Sequence, residues 1–293
     1  MERNFSKLTD LVVRIVLCVV ILAVGCVVNV SAATAKKDSA PSADGVMTVD
    51  LIIFAGQSNM SGGGGNAKAA PAVAHGCGYE YRNGQSAPGL YEVEEPFGTT
   101  ANGYICDPEG LRQGTLVSAF MNKYYNATGV PVVGVSASRG GTGIYTFWNS
   151  EAVRQELVNK YLDAIAYCNS NHIYVRNRYV VWLQGETDAI ALMSGTTYQA
   201  GLDELFAPLF LRNLDQVFIV TIGNFGGLPG AYDEIVNAQI NKCKVDARFT
   251  LGTTVLHDLP DTYTVDGVHY NQTALNMAGE ETAAVAALFS AAR

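Results

Sequence analysis

The stretch LIIFAGQSNMSGG, residues 51–63, joins an apolar run to a small polar cluster. Its first five residues are all apolar, which indicates a strand that is buried on both faces. A glycine ends the run, and Gln57, Ser58 and Asn59 follow it. One interpretation is a strand-to-helix turn in which Ser58 or Asn59 caps the next helix. The other is a nucleophilic serine at the end of a strand, which needs a general base from elsewhere in the chain.

Further apolar runs alternate with helix-like segments along the chain. The predicted strands are Val49–Ala55, Val130–Ser136, Tyr179–Leu183, Val217–Ile222 and Phe249–Leu256. The predicted helices are Leu116–Tyr125, Glu151–Asn169, Tyr198–Arg212, Tyr232–Lys244 and Ala274–Ala292. This alternation predicts an α/β fold, a three-layer, doubly wound (flavodoxin-like) sheet of about five parallel strands. Sites in such sheets form at the carboxyl ends of the strands.

The N-terminal region has the pattern of an export signal. Three basic residues precede the uncharged run Ile15–Val30, and small residues follow it. We therefore expect a signal peptide over residues 1–32, a linker over 33–47 and one domain over 48–293. The run is shorter than the roughly 20 residues of a membrane-spanning helix. A secreted or periplasmic protein is the expectation, and an uncleaved N-terminal membrane anchor is the alternative.

The net charge of −8 makes nucleic acid and anionic lipid unfavourable partners, whereas a neutral polysaccharide is compatible with it. The sequence does not indicate an oligomeric state.

Residues 62–112 do not fit the strand–helix alternation. They are rich in glycine, proline and tyrosine, which is typical of a functional or disulfide-held insertion. Four cysteines follow the predicted signal: Cys77, Cys106, Cys168 and Cys243. An even number in an exported chain predicts disulfides, with Cys77–Cys106 as the favoured pair and Cys168–Cys243 as the second. Free buried thiols are the alternative.

Polar motifs follow the predicted strands where a site would form. The motif DGVH supplies Asp266 and His269, which share a face of a turn because they are three residues apart. The carboxylate can then hold the imidazole Nδ1–H and leave Nε2 free to accept a proton from Ser58. A lone histidine is more often structural, so the weight of this motif comes from its position between the last strand and the last helix.

Acyl transfer also needs donors for an oxyanion. The candidates are the backbone N–H groups of Ser58, Gly140 and Gly141 and the side-chain amide of Gln184. The alternative for the glycines is a turn that requires positive φ. The alternative for Gln184 is a buried amide that ties loops together.

The motifs GQSN, GGT, WLQGETD and DGVH, in this order, resemble the SGNH (GDSL-like) hydrolase superfamily. More narrowly, they resemble its sialate O-acetylesterase and acetylxylan esterase branch, which includes carbohydrate esterase family six. The resemblance covers about residues 48–290 and implies the SGNH hydrolase fold. It implies that Ser58 is the nucleophile, His269 the base and Asp266 the residue that orients the base.

The same resemblance implies that Gly141 and Gln184 are oxyanion donors, although alignment cannot separate Gly140 from Gly141. It implies that Glu186 braces its loop, and Gln57 and Asn59 are further supporting residues. The insertion departs from the family pattern and is expected to cover the pocket.

The expected function is a serine esterase that removes O-acetyl groups from acetylated xylan or a related glycan, without cofactor or metal. A sialate O-acetylesterase is the alternative substrate assignment. Trp148 and Tyr145 are candidates to stack on sugar rings, and packing under the loop is their alternative role. A non-catalytic carbohydrate-binding protein on the same fold is the alternative from another class.

Three other motif interpretations compete with the esterase, and the sequence does not match the first two, a G-x-S-x-G nucleophile elbow and a phosphate loop. Met60 stands where a G-x-S-x-G elbow needs its second glycine. The glycine run is followed by Ala67-Lys68 rather than the Gly-Lys-Ser/Thr of a phosphate loop. A glycosidase that uses Glu186 and Asp188 as its carboxylate pair also remains open.

Overall fold

The computed structural model describes residues 46–83, 88–99 and 103–292. The predicted signal peptide and nearly all of the predicted linker lie outside this described part. One sheet contains seven strands: β1 (Met47–Gly56), β2 (Gly78–Arg82), β3 (Gly89–Glu92), β4 (Val132–Ser138), β5 (Ile173–Leu183), β6 (Gln216–Val220) and β7 (Phe249–Thr253).

The strand order is β3-β2-β4-β1-β5-β6-β7, and every neighbouring pair is parallel except β2–β3. The first strand therefore lies in the middle of the sheet, and later strands are added on both of its sides. Residues 49–56 of β1 are all buried, because helices cover both faces of the sheet. The change of direction places a topological switch point at the carboxyl end of β1, where α/β sheets form their binding sites.

Seven α-helices lie in the described chain: α1 (Val117–Thr128), α2 (Glu151–Ser170), α3 (Glu186–Ile190), α4 (Gly195–Phe210), α5 (Asp233–Val245), α6 (Val255–Asp258) and α7 (Gln272–Ala291). A π-helical turn spans Ile144–Trp148, and 3₁₀ turns span Glu109–Leu111 and Asp261–Tyr263. Helices α1 and α7 pack together as one layer, and α2, α4 and α5 form the other. Within the described ranges, no helix combines the length and the apolar character needed to cross a membrane.

All five strands predicted from the sequence are present in the sheet, which confirms the predicted fold class. The difference is that the insertion adds β2 and β3, two short strands that extend the sheet beyond β4. The buried Arg112 joins the end of the insertion to the sheet. Its guanidinium donates to Phe97 O at 3.0 Å and to Ser138 O at 2.8 Å. The insertion is thus part of the sheet layer rather than only a cover over the pocket.

The disulfide prediction is wrong: all four cysteines of the described chain are free thiols. Cys77 O accepts a hydrogen bond from Val132 N at the start of β4, whereas Cys106 Sγ donates to Ser136 O near its end. Four residues of strand span about 13 Å, which exceeds the roughly 7 Å that a disulfide allows between Cα atoms. Burial raises the pKa of Cys168 to about 11, so this side chain stays a neutral, packed thiol.

Candidate active site

Ser58 lies two residues after Gly56, the last residue of β1, at the switch point of the sheet. Gly56 has a φ of +149°, and a Cβ built on it would lie 1.9 Å from Leu183 O of β5. Only glycine fits there, because the chain leaves the sheet in contact with the neighbouring strand. A tight turn follows, in which Ser61 N donates to Gln57 O and Gly63 N donates to Ser58 O. This turn holds Ser58 half-buried at the edge of the sheet.

The structure brings His269 and Asp266 to Ser58 across 211 residues of sequence. His269 Nε2 lies 2.9 Å from Ser58 Oγ, and His269 Nδ1 lies 2.7 Å from Asp266 Oδ2. The other oxygen of Asp266 accepts the backbone N–H groups of Val268 at 3.0 Å and His269 at 2.8 Å. Because the carboxylate faces Nδ1, we assign the proton to Nδ1, which leaves Nε2 to accept the serine proton.

The electrostatics of this pair suit a general base. Burial alone would raise the pKa of Asp266, but the hydrogen bonds from the His269 ring and backbone outweigh it and hold this pKa at about 2. Burial by itself would lower the pKa of His269. The hydrogen bond to Asp266 and the negative charges of Asp266 and Glu186 outweigh that effect, so the pKa of His269 lies above its ordinary value of 6.5. Asp266 is therefore ionised wherever His269 can act as a base.

The glycine run after Ser58 packs against the histidine loop. A Cβ on Gly63 would lie 2.9 Å from His269 Cδ2, and a Cβ on Gly64 would lie 2.6 Å from Tyr270 O. A Cβ on Gly65 would lie 1.9 Å from Gly114 O. The run is glycine-rich because two other backbone segments approach it closely. This contact accounts for the motif that a phosphate loop would otherwise explain, and the sequence analysis did not identify these glycines as part of the site.

The loop after β4 presents backbone donors beside Ser58. A Cβ on Gly140 would lie 3.4 Å from Ser58 Cβ, so this loop contacts the serine directly. Gly140 N already donates to both carboxylate oxygens of Asp107, at 3.1 and 2.9 Å. Within the described residues, the N–H groups of Ser58 and Gly141 have no protein acceptor. Of the two glycines that the sequence could not separate, Gly141 is therefore the one with a donor to spare.

Gln184 is not placed as predicted. Its side chain is fully buried, and Nε2 donates to Thr142 O at 2.8 Å and to Asp188 Oδ2 at 2.5 Å. Both amide hydrogens are used in holding neighbouring loops together, so the prediction of an oxyanion donor is wrong and the structural alternative holds. Gln57 is also buried, and its Oε1 accepts from Gly185 N and Thr187 N, each at 3.4 Å. Gln57 thus braces this loop.

The carboxylates of the α3 motif are inaccessible to a sugar. Glu186 is 1% exposed and Asp188 is 2% exposed, and burial raises the pKa of both. Asp188 accepts the backbone N–H of Ile144 with both oxygens, at 2.9 and 3.1 Å. Glu186 Oε1 accepts from Asn59 Nδ2 at 2.7 Å. A carboxylate-pair glycosidase that uses these two residues is therefore excluded by their burial.

Of the two predicted aromatic contacts, the one at Trp148 is wrong and the one at Tyr145 stays a prediction. Trp148 is fully buried and donates through Nε1 to Thr142 Oγ1 at 2.9 Å, so it is a core residue and cannot stack on a sugar. Tyr145 is exposed, and its hydroxyl donates to Glu204 at 3.0 Å. The aromatic surface that adjoins the Gly140 loop consists of Tyr104 and Phe147 instead.

The rings of Tyr104 and Phe147 lie 5.6 Å apart, and the guanidinium of Arg139 lies 4.8 Å from the centre of the Tyr104 ring and 5.5 Å from that of Phe147. We call these three residues the Arg139 cluster. Within the described ranges, no carboxylate forms an ion pair with Arg139. The cluster is thus a cation between two partly exposed rings, one residue before the loop that contacts Ser58.

A mostly parallel sheet with a serine, a histidine and an aspartate joined at its switch point is the arrangement of a serine hydrolase. The family model described as "Carbohydrate esterase, sialic acid-specific acetylesterase" matches residues 48–287, and the chain belongs to this family. The protein is therefore a carboxylic ester hydrolase, and acetylated carbohydrates are the kind of substrate on which the family acts.

Solved structures show the same fold. A protein from Arabidopsis thaliana is 21% identical, with a TM-score of 0.59 over 82% of this chain and 98% of its own. The structure named NanS is 15% identical, with a TM-score of 0.54 over 85% of this chain and 99% of its own. The comparison with curated proteins finds no match.

Proposed function

We propose that the protein is a serine esterase that removes O-acetyl groups from carbohydrate through Ser58, His269 and Asp266. The observation that carries this proposal is the hydrogen-bonded series from Asp266 Oδ2 through both ring nitrogens of His269 to Ser58 Oγ, with distances of 2.7 and 2.9 Å. Nucleophile and base are within direct reach of each other, and a third group orients the base. Family membership supports the ester as the bond that is cleaved.

The reaction follows from this arrangement. Ser58 Oγ attacks the acetyl carbonyl carbon while its proton passes to His269 Nε2. The tetrahedral intermediate collapses as the sugar oxygen leaves and takes the proton from Nε2. Water then attacks the acetyl-serine with His269 again as base, which releases acetate and restores the Ser58 hydroxyl. The N–H groups of Ser58 and Gly141 are the proposed donors to the oxyanion, because neither is used within the described chain.

The test of this function is a Ser58→Ala protein assayed for acetate release from acetylated xylan and for hydrolysis of p-nitrophenyl acetate. Loss of the nucleophile is expected to reduce turnover by at least about 10³-fold. The same protein at wild-type rate would remove the esterase assignment to this site and favour the alternative of a binding protein. Asn59 and Glu186 are left intact in this variant, so the local fold is retained.

The substrate is proposed to be an acetylated neutral glycan such as xylan, and an O-acetyl sialic acid is the second candidate. The Arg139 cluster favours the second candidate. Among the described residues Arg139 has no carboxylate partner, and a cation of this kind beside two rings can bind a carboxylated sugar. The variant Arg139→Met distinguishes the two candidate substrates through its effect on KM. If the sugar is anionic, KM rises about tenfold or more for O-acetyl sialic acid but not for acetylated xylan. An unchanged KM for O-acetyl sialic acid would exclude Arg139 from its recognition.

We also propose that the protein is exported, on the basis of the N-terminal pattern alone. N-terminal sequencing of protein from the culture medium or periplasm is expected to begin near residue 33. Protein that keeps residue 1 and sediments with membranes would support the anchor instead.

A further inference from the structure

Asn59 connects the serine turn to the histidine loop through both ends of its amide. Asn59 Oδ1 accepts the backbone N–H of Tyr270 at 3.0 Å, and Asn59 Nδ2 donates to Val268 O at 3.2 Å. These two residues flank His269 in sequence. One fully buried side chain, adjacent to Ser58, therefore holds the backbone on both sides of the base.

Glu186, the first residue of α3, supplies a third point of attachment. Its Oε1 accepts the second hydrogen of Asn59 Nδ2 at 2.7 Å. The backbone of Tyr270 can only donate there, and the carbonyl of Val268 and the oxygen of Glu186 accept. All three partners therefore require the same orientation of the Asn59 amide, and every hydrogen-bonding position on its nitrogen is satisfied.

We propose that Asn59 and Glu186 are positioning residues that set the distance between Ser58 Oγ and His269 Nε2. This inference rests on the proposed function of Ser58 and His269. We call the pair, with its contacts to Val268 and Tyr270, the amide clamp. It joins three separate segments at the carboxyl edge of the sheet: the turn after β1, the start of α3 and the loop before α7.

Asp266 cannot do this positioning alone. It lies in the same loop as His269, three residues earlier, and its contacts are to the ring and backbone of that loop. Asp266 therefore fixes the imidazole relative to its own loop, and its side chain is 50% exposed. The amide clamp fixes the loop relative to Ser58. Misplacement of reacting groups by about 1 Å costs on the order of 10² in rate, so this second role bears on turnover.

Only one oxygen of Glu186 is used in the clamp. Among the residues that the structure describes, buried Glu186 Oε2 has no hydrogen-bond partner, and neither does the nearby Tyr232 hydroxyl. Whether or not Glu186 is protonated, an oxygen remains for the Asn59 amide. A glutamine at this position can also present an accepting oxygen of the same reach. The clamp thus predicts that Glu186→Gln differs sharply from Glu186→Ala.

The experiment compares Asn59→Ala, Glu186→Ala and Glu186→Gln by kcat and KM for p-nitrophenyl acetate and by the rate at which a p-nitrophenyl phosphonate modifies Ser58. Asn59→Ala is expected to lower kcat and the phosphonate rate by about 10²-fold, with KM changed by less than about threefold. Glu186→Ala is expected to lower kcat by about tenfold or more, and Glu186→Gln is expected to restore most of that loss.

Gln216→Ala is the matched control for loss of a buried amide. Gln216 is 2% exposed and also holds a second segment in place, with Nε2 donating to the backbone Ala247 O at 3.0 Å and to the side-chain Thr250 Oγ1 at 2.8 Å. Gln216→Ala should lower the melting temperature, as Asn59→Ala is also expected to do, but leave kcat of the folded protein unchanged. A merely structural role for Asn59 would make the two variants alike.

Two results would overturn the inference: wild-type kcat in folded Asn59→Ala, or equal losses in Glu186→Gln and Glu186→Ala. Glu186→Gln keeps the size of the side chain, so the comparison remains decisive if Asn59→Ala fails to fold. Ser58→Ala is run alongside. If it retains activity, the proposed function has failed. If it is inactive while the clamp variants turn over normally, only the clamp has failed.

Discussion

Replacement of Gly63 by alanine tests how closely the glycine run limits the position of His269. No positive φ is required at Gly63, so alanine can adopt its backbone conformation without strain. The added Cβ would lie 2.9 Å from His269 Cδ2 and 3.4 Å from Nε2. Carbon atoms in contact prefer about 3.5–4.0 Å, so the ring must move by roughly 0.6–1 Å.

A displacement of this size is enough to affect catalysis. The Ser58 Oγ to His269 Nε2 distance is now 2.9 Å, and a shift of roughly 0.6 Å takes it to the limit of a hydrogen bond. Loss of alignment on this scale costs about 10²-fold in kcat. Overpacking also costs about 1–3 kcal/mol of stability. KM should change little, because the new methyl group acts on the base.

The assay is steady-state hydrolysis of p-nitrophenyl acetate, with the melting temperature measured on the same preparations. Gly110→Ala is the matched control, because a Cβ at Gly110 meets nothing within 4 Å and φ there is not positive. The control is expected to keep wild-type kcat. A Gly63→Ala protein with kcat within about twofold of wild type would refute the inference that this contact limits the imidazole.

Three further outcomes are expected. Asp266→Asn removes the interaction with Asp266 that raises the pKa of His269, whereas burial still lowers this pKa. Because the base must be neutral to act, the acid limb of the kcat/KM profile should move to lower pH. The plateau of the profile should fall by roughly 10²–10⁴-fold. A limb that stays in place or moves to higher pH would contradict this. Arg176→Ala removes the guanidinium that is hydrogen-bonded to the fully buried Asp50. The free energy of unfolding, measured in urea, should fall by about 3 kcal/mol. A fall of less than about 1 kcal/mol would contradict a stabilising role for this pair. Because the four cysteines are free, dithiothreitol should leave the melting temperature of the mature domain unchanged, and a drop of several degrees would restore the disulfide hypothesis.

The sheet was predictable because its central strands are buried on both faces and therefore appear as uninterrupted apolar runs. The positions of Ser58 and of the Asp266–His269 pair were also readable, since polar residues after parallel strands gather at one edge. Strands β2 and β3 could not be predicted from the sequence. They are five and four residues long and lie in a glycine- and tyrosine-rich segment, where such short strands carry no clear period.

The roles of individual amides and aromatic rings could not be read from the sequence. Gln184 and Asn59 are both buried amides beside the site, and only their partners show that each is consumed in holding loops together. Trp148 lies in a polar, glycine-rich region of sequence, but the π-helical turn directs it into the core. The residue that contacts Arg139 is instead Tyr104, which lies 35 residues before Arg139 in the sequence. Contacts of this kind depend on side-chain direction, which spacing does not determine.

The central claim is that Ser58 is the nucleophile activated by His269. The most direct measurement is peptide mapping by mass spectrometry after reaction with a p-nitrophenyl phosphonate. One phosphonyl group per chain, on Ser58, is predicted in the wild-type protein, with labelling at least about 10²-fold slower in His269→Ala. A label on another residue, or equal rates in the two proteins, would contradict the account.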